Sequence, residues 1–412
     1  MGRIDWSKYT DIIGHIEISE DILTNIPGWI KAKGYDNVLV VQDINTHEAA
    51  GARICVLLKE AGIGFDEFVY ADGELKADEA AIDALSKAVL PQHNLLLGVG
   101  SGTITDLCKY VGHKTLKPCV IAATAPSMDG YASKGAAMTI LGMKITPQTI
   151  CPEAVFCDIT VMKDAPMIMF ASGLGDMLGK YSAMADWELS HILTGEPMPP
   201  EIYGMMSEAL RLCAESAGVL QNRDIQAVTR LTEGLVLSGI AMSLYGDSRP
   251  ASGTEHHLSH YWEMRRLAEH KKPVAHGLSV GVGALCALTL WKSLPVQPER
   301  PGEQDRAWIE GLVASQYGNS APELLKTQNP NLPYDLILEK WAEIKEIARK
   351  LPEPGDVAEL LKTVGAPVSP CDVSVDSNLL RESILLARER KKVYTVLQLL
   401  GDLNLLEKSP FH

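Results

Sequence analysis

Two histidines one helical turn apart, His256 and His260, stand in Ser252-Gly-Thr-Glu-His-His-Leu-Ser-His-Tyr-Trp262. On a helix, positions i and i+4 share a face, so both imidazoles could enter one cavity. They would serve as two metal ligands, or as one ligand and one substrate contact. The bland alternative is a surface pair or a satisfied core pair, the more frequent fate of such histidines. Ser252 and Glu255 stand in the S-x-x-E relation, which predicts a capping box at the helix start. His276 follows a Lys-Lys-Pro break and opens a second, glycine-rich helix, Gly277–Trp291. Asp176 lies upstream in Gly-Leu-Gly-Asp-Met-Leu-Gly-Lys180. One carboxylate and two imidazoles make a three-ligand set for a divalent cation, with positions left open for substrate. Lys180, one turn after Asp176, is either its intrahelical ion-pair partner or a neighbour of an anionic ligand.

A second group of residues suits a nucleotide. Gly98-Val-Gly100-Ser-Gly102-Thr-Ile-Thr-Asp106 follows a predicted strand and opens a helix. Glycines let the backbone approach a pyrophosphate, and a helix N-terminus offers N–H groups and positive partial charge. The stretch departs from G-x-G-x-x-G and follows the third strand, so an ordinary tight turn is an equal reading. Asp43 closes the first strong strand and either accepts a hydrogen bond from an adenosine ribose or caps the next helix. Thr124-Ala-Pro-Ser-Met-Asp-Gly-Tyr-Ala-Ser133 gathers hydroxyls and an acid after another strand. Asp129 there suits a substrate hydroxyl, and Ser133 a cofactor phosphate or amide.

These residues need a frame. Apolar runs at Asn37–Asp43, Phe65–Tyr70, Asn94–Gly100, Pro118–Thr124 and Ala154–Asp158 read as strands. The first of these runs as buried parallel strands do, and helical stretches lie between. Residues 136–140 and 143–146 flank Leu-Gly and read as a hairpin. Earlier, Asp21–Lys33 reads as a helix. After about residue 162 only helices are predicted, among them 167–193, 201–221, 224–245, 254–270, 306–315, 336–350, 356–364, 377–389 and 393–400. The expected fold class is α/β: a Rossmann-like parallel-sheet domain, 1–162, followed by an all-helical domain, 163–412. A ligand would lie where strand ends meet helix starts.

The 412 residues carry a net charge of −14, which argues against nucleic-acid or anionic-membrane partners, since no basic excess exists to neutralise phosphates. No apolar run is expected to span a membrane uninterrupted, and no signal peptide is expected. Eight cysteines without a C-x-x-C pair read as reduced thiols, so the expected compartment is the cytoplasm. The Met-rich helical half suggests a self-contact surface and a homo-oligomer, a dimer in the simplest case, although core packing explains the same residues.

Gly-Ser-Gly-Thr-Ile-Thr-Asp106, Thr-Ala-Pro-Ser-Met-Asp-Gly130, Gly-Leu-Gly-Asp-Met-Leu-Gly-Lys180, Ser-Gly-Thr-Glu-His-His-Leu-Ser-His260 and His276-Gly277, in that order, together resemble the sn-glycerol-1-phosphate dehydrogenase family. That family sits in a dehydroquinate synthase-like superfamily with metal-dependent alcohol dehydrogenases and glycerol dehydrogenase. The resemblance implies that Asp176, His256 and His276 hold the metal, and that Asp129, His260 and Asp176 contact the substrate. It implies that Gly100, Ser101, Gly102, Thr103 and Ile104 line an NAD(P) site. Thr124, Ala125, Pro126 and Ser127 would line it too, with Ser133 and Asp43. The implied reaction is NAD(P)H reduction of dihydroxyacetone phosphate to sn-glycerol 1-phosphate, a step towards phospholipids. The ligand set fits Ni or Zn as well as Fe or Co, and Asp43 leans towards NAD over NADP. Glycerol dehydrogenase, acting on unphosphorylated glycerol, and a dehydroquinate synthase-like enzyme are the alternative readings. Leu107-Cys-Lys-Tyr110 departs from the aliphatic, arginine-bearing stretch the resemblance implies, at a place expected to lie off the chemistry.

Overall fold

The computed structural model describes residues 4–71, 75–140, 143–272, 274–302, 310–311, 313–315, 321, 331–390 and 392–411. Val38, Leu39, Val40 and Val41 are all buried in one strand, as they must be where helices cover both faces of a parallel sheet. The strands are β1 (His15–Ser19), β2 (Asn37–Asp43), β3 (Gly64–Tyr70), β4 (Leu95–Gly100) and β5 (Cys119–Ala123). They are followed by a two-stranded antiparallel hairpin, β6 (Met138–Ile140) and β7 (Met143–Ile145), and by β8 (Ala154–Asp158). Six strands form a parallel sheet in the order β1-β8-β5-β4-β2-β3. From β2 the chain goes to β3 on one side, then crosses back to place β4 on the other. The carboxyl ends of β2 and β4 therefore flank a topological switch point, where open α/β sheets hold ligands.

The helices along the first half are α1 (Ile26–Ala32), α2 (Ile44–Thr46), α3 (Ala52–Glu60), α4 (Glu79–Ala88), α5 (Gly102–Thr115) and α6 (Ile159–Met162). Then come α7 (Met167–Leu178), α8 (Lys180–Thr194), α9 (Pro200–Leu220), α10 (Ile225–Tyr245), α11 (Thr254–Ala268) and α12 (His276–Lys292). Helical segments at Tyr334–Glu339, Trp341–Lys350, Pro354–Lys362, Ser377–Leu386 and Val396–Asp402 follow. Among the described residues β8 is the last strand.

Close packing divides the chain into two units. One comprises Met1–Met177, Met205–Ser248 and Thr363–Gly365; the other comprises Leu178–Gly204, Arg249–Lys362 and Ala366–His412. Helix α10 thus packs with the sheet, where Gly239 lets it approach the turn after β5: a Cβ there would lie 2.7 Å from the Asp129 carbonyl. It is long and apolar enough to cross a membrane, with mean hydropathy 1.2, but 83% of that window is buried, as in a core helix. The helical unit is centred on a cluster that includes Trp262, Trp291, Trp341 and Leu397. There α11 and α12 cross closely at Gly283, whose added Cβ would meet the Glu255 carbonyl at 2.5 Å.

Some element bounds differ from the sequence reading. β1 was not expected; its five residues alternate half-buried and buried, and it pairs with β8 at the sheet edge. The expected helix 167–193 breaks at Gly179 into α7 and α8. The start of the 21–33 helix is a 3-10 turn, Ile22–Asn25. Half of the helix expected at 306–315 lies outside the described residues; 310–311 and 313–315 are helical.

Candidate active site

In the sheet unit, the switch point is bordered by Asp43 and by the turn Gly100-Ser101-Gly102. Gly100 ends β4 and Gly102 begins α5, with Ser101 at the N-cap making no side-chain cap bond. A Cβ on Gly100 would lie 2.6 Å from Ile104, and one on Gly98 2.8 Å from the Cys108 sulfur. These glycines bring α5 hard against the strand that feeds it, which also points its N-terminal amides at the strand's carboxyl end. Thr103 is half-buried and Ile104 buried on the first turn. Asp43 takes the capping role: its carboxylate accepts the Thr46 N–H at 2.8 Å, within a capping box that starts α2.

Thr124, Ala125, Pro126 and Ser127 follow β5, and the Thr124 N–H donates to the Gly100 carbonyl at 3.2 Å. Gly173 of α7 lets that helix close on this turn, since a Cβ there would lie 2.0 Å from the Pro126 carbonyl. Ser172 Oγ donates to the Ser127 carbonyl at 2.9 Å. Asp129 and Asp176 meet: the Asp129 N–H donates to Asp176 Oδ2 at 3.1 Å. The Asp129 carboxylate accepts from Ser238 Oγ of α10 at 2.7 Å. Ser133 Oγ lies 3.1 Å from the Gly130 carbonyl and 3.2 Å from that of Gly135. Both aspartates are buried, which for carboxylates demands partners of this kind.

In the helical unit, three imidazoles converge. Ring centroids lie 5.9 Å apart for His256 and His260, 5.2 Å for His256 and His276, and 5.5 Å for His260 and His276. His256 Nδ1 is 2.7 Å from Glu255 Oε1, which makes Nδ1 the protonated nitrogen and leaves the Nε2 lone pair for a ligand bond. Glu255 is fully buried and also accepts from the Gly253 N–H at 2.7 Å and from Ser182 Oγ at 2.5 Å. Burial alone would raise its carboxyl pKa, but the hydrogen bonds from His256, Ser182 and Gly253 hold it below the ordinary value. A buried carboxylate fixing one imidazole nitrogen is how metal-binding histidines are oriented. His260 Nδ1 lies 3.9 Å from the Glu263 carboxylate, and His257 is fully buried. Ser259, Glu263, Arg266, His276 and Ser279 are among the residues lining a small cleft.

The capping box expected of Ser252 and Glu255 does not form. The N-cap of α11 is Gly253, and the Thr254 N–H donates to Asp186 Oδ2 at 2.7 Å. The buried Asp186 carboxylate, reaching in from α8, outcompetes the serine. Its Oδ1 also receives the Val396 N–H at 2.9 Å and Trp291 Nε1 at 3.2 Å, so one carboxylate ties three helices. Sequence reasoning missed Asp186 and Ser238, and it saw Glu255 only as a cap. The available signals were polar residues at helical positions otherwise apolar: Ser238-Gly239 inside α10, and Asp186 inside α8.

The model of the family "Iron-containing alcohol dehydrogenase" matches residues 17–166. A protein of Halalkalibacterium halodurans named Glycerol-1-phosphate dehydrogenase [NAD(P)+] is 33% identical over 94% of this chain and 92% of its own. The chain belongs to the glycerol-1-phosphate dehydrogenase family. A Methanosarcina barkeri protein of the same name is 32% identical over 73% of this chain and 85% of its own. The crystal structure of a probable glycerol dehydrogenase from Sinorhizobium meliloti has the same fold, with a TM-score of 0.65 over 96% of this chain and 97% of the other at 17% identity. Like these relatives by name, the family member described here is an NAD(P)-linked oxidoreductase.

Proposed function

We propose that this protein reduces dihydroxyacetone phosphate to sn-glycerol 1-phosphate with NAD(P)H, using one divalent metal, in a reversible hydride transfer at C2. The observation that carries the metal-dependent reading is the three-imidazole cluster with the buried Glu255 on His256 Nδ1. The substrate follows from the relatives' shared name across nearly the whole chain. Residues 1–162 take the nucleotide and residues 163–412 supply most of the metal and substrate groups.

Asp176, His256 and His276 would hold the metal, nickel or zinc among the candidates, and their oxygen and nitrogen donors fit such an ion. When bound, the metal supplies Lewis-acid polarisation of the C2 oxygen. The turn from β4 into α5, Gly100 to Ile104, would receive the pyrophosphate of the cofactor, with Thr124 to Ser127 and Ser133 beside it. Asp43 would accept from the ribose, which favours NAD over NADP. Asp129 would orient the substrate hydroxyls, itself held by Ser238, so that hydride adds to one face. His260 would deliver the proton to the developing alkoxide. A cytoplasmic homodimer feeding phospholipid synthesis belongs to the same reading, and light scattering measures its oligomeric part.

The test is steady NADH or NADPH oxidation with dihydroxyacetone phosphate and with dihydroxyacetone. Turnover of the phosphate ester alone supports the reading. Turnover of the unphosphorylated ketone alone moves the enzyme to glycerol dehydrogenase chemistry.

A further inference from the structure

Lys109 is fully buried on α5, as among the described residues only Lys180 also is. Its ammonium donates to the carbonyls of Gly130 at 2.9 Å and Ser133 at 3.4 Å, and to that of Gly135 in a shorter contact. Asp106, one turn earlier on the same helix, pairs with it at 3.1 Å. The Asp106 carboxylate also accepts the Ala137 backbone N–H. Burial of a charge on this scale is costly unless every donor finds an acceptor. Here the carbonyl acceptors all belong to residues 130–135, directly after Asp129 and including Ser133.

This segment has little regular structure of its own. It holds a short 3-10 turn, Gly130–Ala132, and a bridge from Gly135 to Gln148. Ser243 Oγ on the Ala132 carbonyl at 2.9 Å and the Thr149 N–H on the Lys134 carbonyl at 2.8 Å also hold it, while Lys109 alone ties three of its carbonyls to α5. The anchoring helix is the one whose first turn begins at Gly102. One rigid element thus presents the glycine turn at its N-terminus and grips the Asp129–Ser133 loop two turns further on.

We propose that Lys109, paired with Asp106, is a positioning residue that sets the Asp129–Ser133 loop against the cofactor turn, so that one helix aligns both ligand-contacting segments. The inference rests on the proposed roles of Ser133 and Asp129. It places a residue expected to lie off the chemistry directly behind the groups that perform it.

The test replaces Lys109 with Met, which keeps length and apolarity but no donor, and with Arg. Three readouts are followed on the full-length protein: amide hydrogen exchange, NADH binding by fluorescence, and KM against kcat with dihydroxyacetone phosphate. In K109M the amides of 130–137 should exchange at least about tenfold faster while β4 and β5 keep their protection. The Kd for NADH should rise about tenfold, a loss near 1.4 kcal/mol. KM should rise more than kcat falls, and K109R should recover most of each effect. Folded K109M with unchanged loop exchange and unchanged NADH affinity overturns the proposal. So does uniform loss of protection with unchanged affinity, which marks a purely structural lysine. If K109M does not accumulate folded, D106N is read the same way. Loop-confined loosening with weaker NADH binding supports the proposal, and neither change overturns it. Exchange and NADH binding need no substrate. A wild-type protein that binds NADH yet ignores dihydroxyacetone phosphate would sink the proposed substrate, while loop exchange and NADH affinity still decide for or against Lys109. Should the wild type bind neither NADH nor NADPH, the cofactor assignment fails, and the proposal that Lys109 sets the loop against the cofactor turn falls with it.

Discussion

Glu255 shows how far a single side chain shapes the site. Its carboxylate takes three hydrogen bonds, from His256, Ser182 and the Gly253 amide, and the first of these fixes the tautomer of His256. Glu255→Gln keeps the volume but turns one acceptor oxygen into a donor facing an N–H or O–H group. The expected result is a loss of affinity for Zn²⁺ or Ni²⁺ of roughly 10- to 100-fold, the usual scale for such partners. Competition against a chromophoric chelator measures it; wild-type affinity in folded E255Q would remove Glu255 from the metal reading. Asp129→Ala and His260→Ala should each lower kcat/KM by about 10²-fold or more, as loss of a positioned acid–base or orienting group does. Steady-state kinetics decide, and wild-type values for either would end that assignment. Asp129, Asp176 and the three histidines stood out in the sequence through the order of the five motifs, and the structure gathers the three imidazoles in one cluster and sets the Asp129 N–H on Asp176. Ser238 and Asp186 did not: each sits in a helix read as core, and only the fold reveals which partner it meets.

Helix starts and crossings place these residues, and they were read with mixed success. The strands β2, β4, β5 and β8 were plain because buried parallel strands are continuous apolar runs. β1 escaped because His15-Ile-Glu-Ile-Ser is short and half polar, as suits an edge position. The S-x-x-E signal at 252–255 located the start of α11 but named the wrong cap, since a distant carboxylate won the amide. That carboxylate, Asp186, yields a prediction at this scale. Asp186→Asn places an amide donor against the Thr254 N–H, leaving it unsatisfied at a cost of about 1–3 kcal/mol. Thermal unfolding should show a Tm several degrees lower. Burial first, and then the neighbouring Glu255 carboxylate, push Asp186 up to about 7. An unfolded aspartate titrates near ~3.9. Between these values the folded state holds a proton the unfolded state has lost, so this contribution to stability is full at low pH and declines as pH rises towards 7. Denaturant unfolding from about pH 4 to about pH 8 should show that slope in the wild type and a shallower one in D186N. Parallel curves would contradict it.

Across the whole molecule, one unit carries a parallel sheet with a switch point and the other a cluster of three histidines. Packing does not follow one cut in the chain, because residues 205–248 join the sheet unit although they hold most of α9 and all of α10 and no strand. Periodicity reports the type of an element and not the partner it packs on, so the sequence could not reveal that exchange. Fold class and reaction family were nonetheless readable, since five separated motifs in fixed order constrain far more than any one of them. The most direct test of metal-dependent reduction strips the protein of metal with a chelator and resupplies Ni²⁺, Zn²⁺, Co²⁺ or Fe²⁺ singly, while following NADH oxidation with dihydroxyacetone phosphate and the chirality of the product. The expected outcome is no turnover without metal, restoration by at least one of these ions, and sn-glycerol 1-phosphate as the product. Full activity in the stripped protein, the opposite enantiomer, or silence with every ion would contradict it.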